Sequence, residues 1–142
     1  MQDLNNNIKL VQSLAPAVRT ADANGDGVDL KGFEAAAIVV DSGAEGVTLS
    51  SSVKIEFELE HSDDNTTFTD VAQADVIGAT LGSNGLFLTL DDNAESPQIS
   101  EIGYVGGKRY VRVVANFSGT HGTGTPLSAF VILGKPRHSS DA

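Results

Sequence analysis

The sequence contains no cysteine and no tryptophan among its 142 residues, and it contains three histidines and two tyrosines. Without cysteine, neither a disulfide nor a zinc–thiolate site contributes to stability, and a covalent nucleophile would have to be a hydroxyl, an amine or a carboxylate. Few aromatic rings are present on which a bound sugar would stack. We therefore expect a fold that rests on packing, alone or together with contacts between subunits.

Positive charge is also scarce, with 9 basic against 19 acidic residues and a formal net charge of −10. Such a chain repels nucleic acid within the screening length, so we expect no nucleic-acid partner. No apolar run reaches the roughly 18 residues of a membrane-spanning helix, and the N-terminal stretch "MQDLNNNIKL" lacks the pattern of a signal peptide. We expect a soluble protein with no membrane partner.

Residues typical of catalytic sites are few and scattered. His61, His121 and His138 lie in no recognisable motif, and we interpret them as surface histidines without a shared role. The acidic pairs Asp63-Asp64 and Asp91-Asp92 lie among Asn, Ser and Thr, as in solvated turns, rather than in the pattern of glycosidase carboxylates. The sequence therefore predicts no enzyme activity, no cofactor and no metal-imidazole site.

The stretch "DANGDGVDLKGFE" begins like a calcium-binding EF-hand loop. Four residues of the required types stand at the required spacing: Asp22, Asn24, Asp26 and Gly27. The twelfth position, which needs a bidentate glutamate, holds Phe33, and Glu34 comes one residue late. Asn-Gly and Asp-Gly dipeptides tolerate positive φ, so we favour a turn, and a weak ion site remains the alternative.

Four segments have the pattern of β-strands. "VKIEFELE" and "KRYVRVVANF" alternate apolar and polar residues, and Arg109 falls on the apolar face of the second, either near a sheet end or paired with a carboxylate across a subunit contact. "LSAFVILG" is almost continuously apolar, which predicts a strand buried on both sides. "FEAAAIVV" is the fourth strand, although its alanines also suit a short buried helix.

Further candidate strands, "GLFLTL" and "QISEIGYV", are separated by turn-forming clusters, and "GYVGGKRY" reads as a hairpin turn rather than a phosphate-binding loop. Helix is expected only as one or two turns in "TDVAQADVIGA". Seven to nine short strands at intervals of about ten to fifteen residues indicate a β-sandwich or small barrel. The predicted fold is mainly β: a single antiparallel β-sandwich, jelly-roll-like or Ig-like, with little helix.

The first residues form a separate N-terminal arm in this prediction. Apolar residues recur there at helical spacing, but three consecutive asparagines and Pro16 oppose a helix, so the arm is either helical or extended. The expected organisation is an arm at 1–15, a sandwich domain at 16–136 and a flexible tail at 137–142.

Three features together resemble a family of small virion proteins of tailed bacteriophages. They are "LAPAVRT" leading into the Asn-Gly/Asp-Gly stretch and "VDLKGF", the loop "SDDNTTFTDV", and the strand entry "GGKRYVRV". The resemblance covers nearly the whole chain. It implies a capsid decoration (cement) protein or another small head component, built as a β-sandwich, located on the capsid surface and assembled in the host cytoplasm.

The implied partner is the major capsid protein, and the implied mechanism is mechanical. We expect a homo-oligomer, a trimer at three-fold positions, that adds many weak contacts to hold the shell together. Candidate docking residues, which are equally suited to the core of their own protomer, lie in the arm: Leu4, Ile8, Leu10, Val11 and Leu14. A turret, head-fibre base or tail component, and a carbohydrate-binding β-sandwich that aids host adhesion, are the alternatives.

Overall fold

The computed structural model describes residues 1 and 3–138 and contains two antiparallel sheets packed as a β-sandwich, which confirms the mainly β prediction. Four short 3-10 turns account for the helical residues in this part of the chain. The strands are β1 (Ile8–Arg19), β2 (Ala23–Asn24), β3 (Val28–Asp29), β4 (Phe33–Ser42), β5 (Lys54–Ser62), β6 (Thr69–Asp70), β7 (Val76–Ile77), β8 (Leu86–Leu90), β9 (Gln98–Tyr104), β10 (Tyr110–Ser118) and β11 (Thr125–Pro136).

The first sheet has the order β1-β11-β4-β9-β7. In the second sheet, β10 pairs with β5, the short strands β2 and β3 pair with the free side of β10, and β6 and β8 pair with the free side of β5. We count β2 and β3 as one strand, and β6 and β8 as another. Each sheet then has the four-stranded order of a jelly roll, and β7 is added as a fifth strand at the edge of the first sheet. The jelly-roll form of the prediction is therefore the one observed.

Alternating side chains of the central strands build the core between the sheets. Ile55, Phe57 and Leu59 of β5 are fully buried, and the residues opposite them on β10 include Ala115 and Val113, which are also fully buried. Period-two patterning places these residues on one face because successive side chains of a strand point to opposite sides. The predicted faces of "VKIEFELE" and "KRYVRVVANF" are those found.

Strand β11 is not buried on both sides, so this prediction was wrong. Its inward residues are buried: Leu127, Ala129, Val131 and Leu133. Phe130 and Ile132 point the other way and are only half-buried. The strand is central within its sheet, but a two-layer sandwich covers only one face of each sheet.

The predicted N-terminal arm is largely a strand of the sandwich. Residues 8–15 lie in β1, which pairs along its length with β11, from Ile8 opposite Gly134 to Arg19 opposite Thr125. Only the residues before Ile8, which include a 3-10 turn at Asn5–Asn7, precede the sheet. The sandwich therefore begins at residue 8 rather than 16. At the other end, residues 139–142 of the predicted tail lie outside the described residues.

Two connections differ from the sequence prediction. Gly106 and Gly107 do not turn a hairpin, because β9 and β10 belong to different sheets and the segment crosses between them. The predicted helical turns in "TDVAQADVIGA" reduce to one 3-10 turn, Gln73–Asp75, between β6 and β7. No described helix is long and apolar enough to cross a membrane.

Candidate interaction surface

The five predicted docking residues fall into different environments. Leu14 is 2% exposed and belongs to the core, and Val11 packs against the core. Leu4 and Leu10 are 65% and 58% exposed, and Ile8 is intermediate. The structure thus gives Leu14 and Val11 to the protomer's own core and leaves Leu4 and Leu10 available for contact.

Leu10 is one end of an apolar row that runs across the outer face of the first sheet. Leu10 lies opposite Ile132, Ile132 opposite Ala37, Ala37 opposite Gly103, and Gly103 opposite Ile77. Directly opposite residues of antiparallel strands point to the same face, so these residues form one continuous stripe, which we call the apolar row. Its last member, Ile77, is 61% exposed.

More apolar side chains flank the apolar row on the same face. On one side of it half-buried Phe130 lies opposite Val39, which is 4% exposed, and on the other side Val105, 55% exposed, follows β9. Ile99, which is 72% exposed, points to the same face and lies opposite Asp41. Exposed apolar residues at both ends of the row, joined by half-buried ones, make this face the candidate contact surface of a chain with a formal charge of −10.

Part of the apolar row is visible in the sequence, but its exposure to solvent is not. The near-continuous apolar run of "LSAFVILG" indicates a second apolar face of β11, and such a run predicts burial on both sides. The exposed apolar residues on β1, β7 and β9 gave no comparable signal, because each is a single residue in a short or mixed segment. Their alignment depends on strand register, which single-strand patterns do not determine.

The outer face of the second sheet is acidic instead. Glu56, Glu58 and Glu60 of β5 lie on it, and Arg112 of β10 bonds Glu60 with 2.5 Å between Nε and Oε2. Partial burial, followed by repulsion from Asp70, Glu60 and Glu56, raises the pKa of Glu58 above its ordinary value. The two outer faces of the sandwich thus differ sharply in chemistry.

The calcium-like stretch serves to attach the segment between β1 and β4 to β10. Asp22 accepts a 2.6 Å hydrogen bond from the Phe117 amide, Asn24 pairs with Val114, and Asp29 binds Arg109. No three His, Asp or Glu side chains group as a metal site within residues 1 and 3–138. The stretch forms the short strands β2 and β3 rather than the predicted tight turn.

Gly25 in this stretch is required by space and not by a positive φ, contrary to the sequence argument. A Cβ at this position would overlap Ser13 Oγ and would lie 2.6 Å from the Val113 carbonyl oxygen. Ser13 itself links β1 to the second sheet, because its hydroxyl accepts from the Val113 amide at 3.0 Å and donates to the Asp26 carbonyl at 3.0 Å. This contact closes one side of the sandwich.

The acidic pairs form turns, as the sequence predicts. Asp64 accepts hydrogen bonds from the Thr67 and Thr66 amides, which lower its pKa. Asp92 accepts from the Ala94 amide and begins the 3-10 turn Asn93–Glu95. Both arrangements use the carboxylates to satisfy backbone donors.

Two of the three histidines are buried, so their assignment to the surface was wrong. His61, which continues the inward series of β5, is 8% exposed, and its Nδ1 lies 3.0 Å from the Tyr104 hydroxyl across the sandwich. The same hydroxyl accepts from the Lys108 amide at 3.2 Å. His121 is 2% exposed and its Nε2 lies 2.8 Å from the Ser118 carbonyl oxygen. The alternation that extends past Leu59 was a usable signal for His61.

The His61 environment predicts a pH dependence of stability. Burial, followed by the charge of Lys108, lowers the pKa of His61 below 6.5 in the folded protein. The unfolded chain then binds a proton more readily, so stability should be lost as the pH falls below about 6.5 toward the folded pKa. Thermal unfolding over this range should show a steeper fall for the wild type than for His61→Gln, which keeps a partner for Tyr104. If the melting temperatures of the two proteins fell equally with pH, His61 would not be the group responsible.

No family model and no curated protein matches this chain. Among solved structures, it is similar to the crystal structure of SPBc2 prophage-derived protein YomS. The two share 15% sequence identity over 91% of this chain and 94% of the other, with a TM-score of 0.46.

Proposed function

We propose that this protein is a non-enzymatic structural component of a tailed-bacteriophage virion, a capsid decoration protein that binds the assembled shell. The observation that carries the proposal is the apolar row with its apolar flanks on the outer face of the first sheet. The sequence resemblance to small phage head proteins supplies the virion setting. The capsid protein is the partner, and the outer capsid surface is the location.

The proposed mechanism is adhesive. Burying one exposed leucine or isoleucine contributes about 1.5–3 kcal/mol, so the row and its flanks suffice for a moderate contact by each copy. Several copies joined as a homo-oligomer, for which we propose a trimer, would bind the shell through several such contacts at once. Decoration would then hold neighbouring capsid subunits together against the pressure of packaged DNA.

The charge distribution supports an outer position. The acidic face of the second sheet, with Glu56, Glu58 and Glu60, lies opposite the apolar row. With the row against the shell, the acidic face points to solvent, where charge keeps decorated particles apart. A turret or tail component would use the same surfaces, and the position of the protein in images of the particle distinguishes these assignments.

The carbohydrate-binding alternative is weakened by the two tyrosines. Tyr104 is 5% exposed and its hydroxyl is bonded within the fold. Tyr110 is half-buried, with the Arg109 guanidinium 5.0 Å from its ring centroid. The Tyr104 ring is thus closed to a stacking sugar, and the guanidinium lies over one face of the Tyr110 ring.

The docking face is tested with Leu10→Asp and Ile77→Asp, each measured by co-sedimentation with empty capsids of the phage that encodes the protein. A charge in the row removes apolar burial and adds an unpaired carboxylate to the contact, so capsid affinity should fall at least tenfold. The melting temperature should change little, because both side chains are mostly exposed. Light scattering of each free variant reports whether the oligomer persists.

Val18→Asp is the matched control, because Val18 is 61% exposed and lies opposite Pro126, at the far end of β1 from Leu10 and the apolar row. It introduces the same charge on a comparably exposed apolar residue. We expect its capsid affinity to remain within about twofold of wild type. The assignment of the docking face would be overturned if all three variants lost capsid affinity equally, or if the two row variants kept the affinity of wild type.

A further inference from the structure

A pocket of about 890 Å³ opens at one end of the sandwich, between the segment that leads into β4, the β9–β10 connection and the end of β11. The apolar row reaches its edge, because Ile77 and Gly103 line both. Other apolar lining comes from Leu30, Phe33 and Val105. The pocket therefore has an apolar wall that continues into the outer face of the first sheet.

The rest of the pocket is basic, although the chain is acidic. Five of the nine basic residues of the chain line it: Lys31, Lys108, Arg109, Lys135 and Arg137. Glu34 is the acidic residue among the lining side chains. More than half of the scarce positive charge is thus concentrated at one end of the molecule, where it produces a local positive potential.

Only part of this charge is neutralised within the chain. Arg109 forms a bidentate pair with Asp29 at 2.9 and 2.7 Å, and this hydrogen bonding lowers the pKa of Asp29. Arg137 is 3.7 Å from Glu34 and Lys108 is 3.9 Å from Asp63, so these two pairs are loose. Among the described residues, the side chain of Lys135 makes no ion pair or hydrogen bond, and Lys31 interacts with Asp29 only at longer range.

Lys135 has φ of +53° in the last residues of β11. Glycine adopts this left-handed conformation without a steric penalty, whereas a lysine is strained in it. The two neighbouring residues, Gly134 and Pro136, still pair with β4, so the sheet fixes the irregular residue between them. A lysine at this position adds charge to the pocket at a cost in local backbone energy.

The β9–β10 wall of the pocket is held in place from inside the sandwich. The Tyr104 hydroxyl accepts from the Lys108 amide and lies 3.0 Å from His61 Nδ1. A Cβ at Gly106 would lie 2.5 Å from the Tyr104 hydroxyl oxygen, so the connection packs tightly on that ring. These contacts position the two basic residues of this wall before any ligand arrives.

We propose that this pocket binds an extended acidic segment of a partner protein, with carboxylates on the lysine and arginine side and apolar residues against the Phe33, Ile77 and Val105 wall. Charge complementarity identifies the occupant: the free ammonium groups suit carboxylates, and the adjoining apolar wall suits a peptide better than a small hydrated anion. The pocket would take such a segment whether or not the protein belongs to a virion.

The test uses an end-blocked peptide of alternating glutamate and leucine, titrated into the full chain by calorimetry. Wild type should bind it, and the affinity should fall as sodium chloride is raised from about 50 to 500 mM, because partly exposed charge pairs are screened. Lys31→Gln/Lys135→Gln should weaken binding about fivefold, since each such pair contributes a few-fold in affinity. Lys135→Gly should also weaken binding while leaving the melting temperature equal or higher.

Lys9→Gln/Lys54→Gln is the matched control, because it removes the same two charges away from the pocket. It should bind the peptide within about twofold of wild type. The proposal is overturned if wild type does not bind the peptide at millimolar concentration, or if both double variants lose affinity equally.

It is also overturned if inorganic phosphate or a thymidine oligonucleotide displaces the peptide at lower concentration, since the pocket would then be a general anion site. None of these results depends on capsid binding, so a failure here leaves the docking of the apolar row separately testable.

Discussion

Phe57→Ala should lower the free energy of unfolding by about 3–5 kcal/mol, measured by urea denaturation at neutral pH. Phe57 is fully buried at the centre of β5, opposite Ala115 on one side and Leu88 on the other. Truncation removes the burial of the ring and leaves a cavity that the rigid sheet pair fills only in part. A loss of this size is a large share of the free energy of unfolding of a typical domain, which is about 5–15 kcal/mol.

Phe130→Ala is the matched control, because it deletes the same atoms from the half-buried outer face of the first sheet. We expect it to cost about 1–2 kcal/mol, in proportion to the smaller area removed from water on folding. It should nevertheless weaken capsid binding, since Phe130 flanks the apolar row. If both variants were equally destabilised, the sandwich core would not lie between the sheets as described.

Gly25→Ala should destabilise the protein by about 3 kcal/mol, although the change adds a single methyl group. The new Cβ would overlap Ser13 Oγ and press on the Val113 carbonyl oxygen, which is part of the backbone of β10. Neither neighbour moves cheaply, because the Ser13 hydroxyl joins the sheets through the Val113 amide. The midpoint of thermal unfolding provides the measurement.

Gly107→Ala serves as the control for this variant, since a Cβ at Gly107 meets no atom within 4 Å and its φ is not positive. We expect no loss of stability, or a gain of up to about 1 kcal/mol, from the reduced entropy of the unfolded chain. Ser13→Ala/Gly25→Ala should remain less stable than Ser13→Ala, because the clash with Val113 persists. A double variant no worse than Ser13→Ala would mean that backbone crowding is absent.

The fold was predictable for strands whose own sequence alternates between apolar and polar residues. The alternation of β5 and β10 identified both the strands and their buried faces, and the frequent turn residues indicated a sandwich. Strand β1 was missed because consecutive asparagines and Pro16 conceal its pattern, and because its partner, β11, is more than a hundred residues away. Pairing over such distances is fixed by the packing of the whole domain, which local propensity does not report.

The candidate sites were harder to predict for the same reason. The pocket assembles Lys31, Lys108 and Lys135 from three distant segments, and the apolar row takes one residue from each of five strands. Composition showed that basic residues are scarce, but their concentration at one end depends on topology. The sequence offered Leu4, Ile8, Leu10, Val11 and Leu14 as one set of contact candidates, because spacing alone does not distinguish a core position from an exposed one.

The antiparallel pairing of β1 with β11 also determines how the domain responds to mechanical force. Ile8 lies opposite Gly134, so the first and last strands of the sandwich have neighbouring ends. Tension applied between these ends would peel the two strands apart one hydrogen bond at a time, starting at that pair. Tension applied along the strand axes, with β1 pulled at its Ile8 end and β11 at its Thr125 end, would instead load the hydrogen bonds of the pair together in shear. A molecule built in this way resists load best when the force acts at opposite ends of this strand pair.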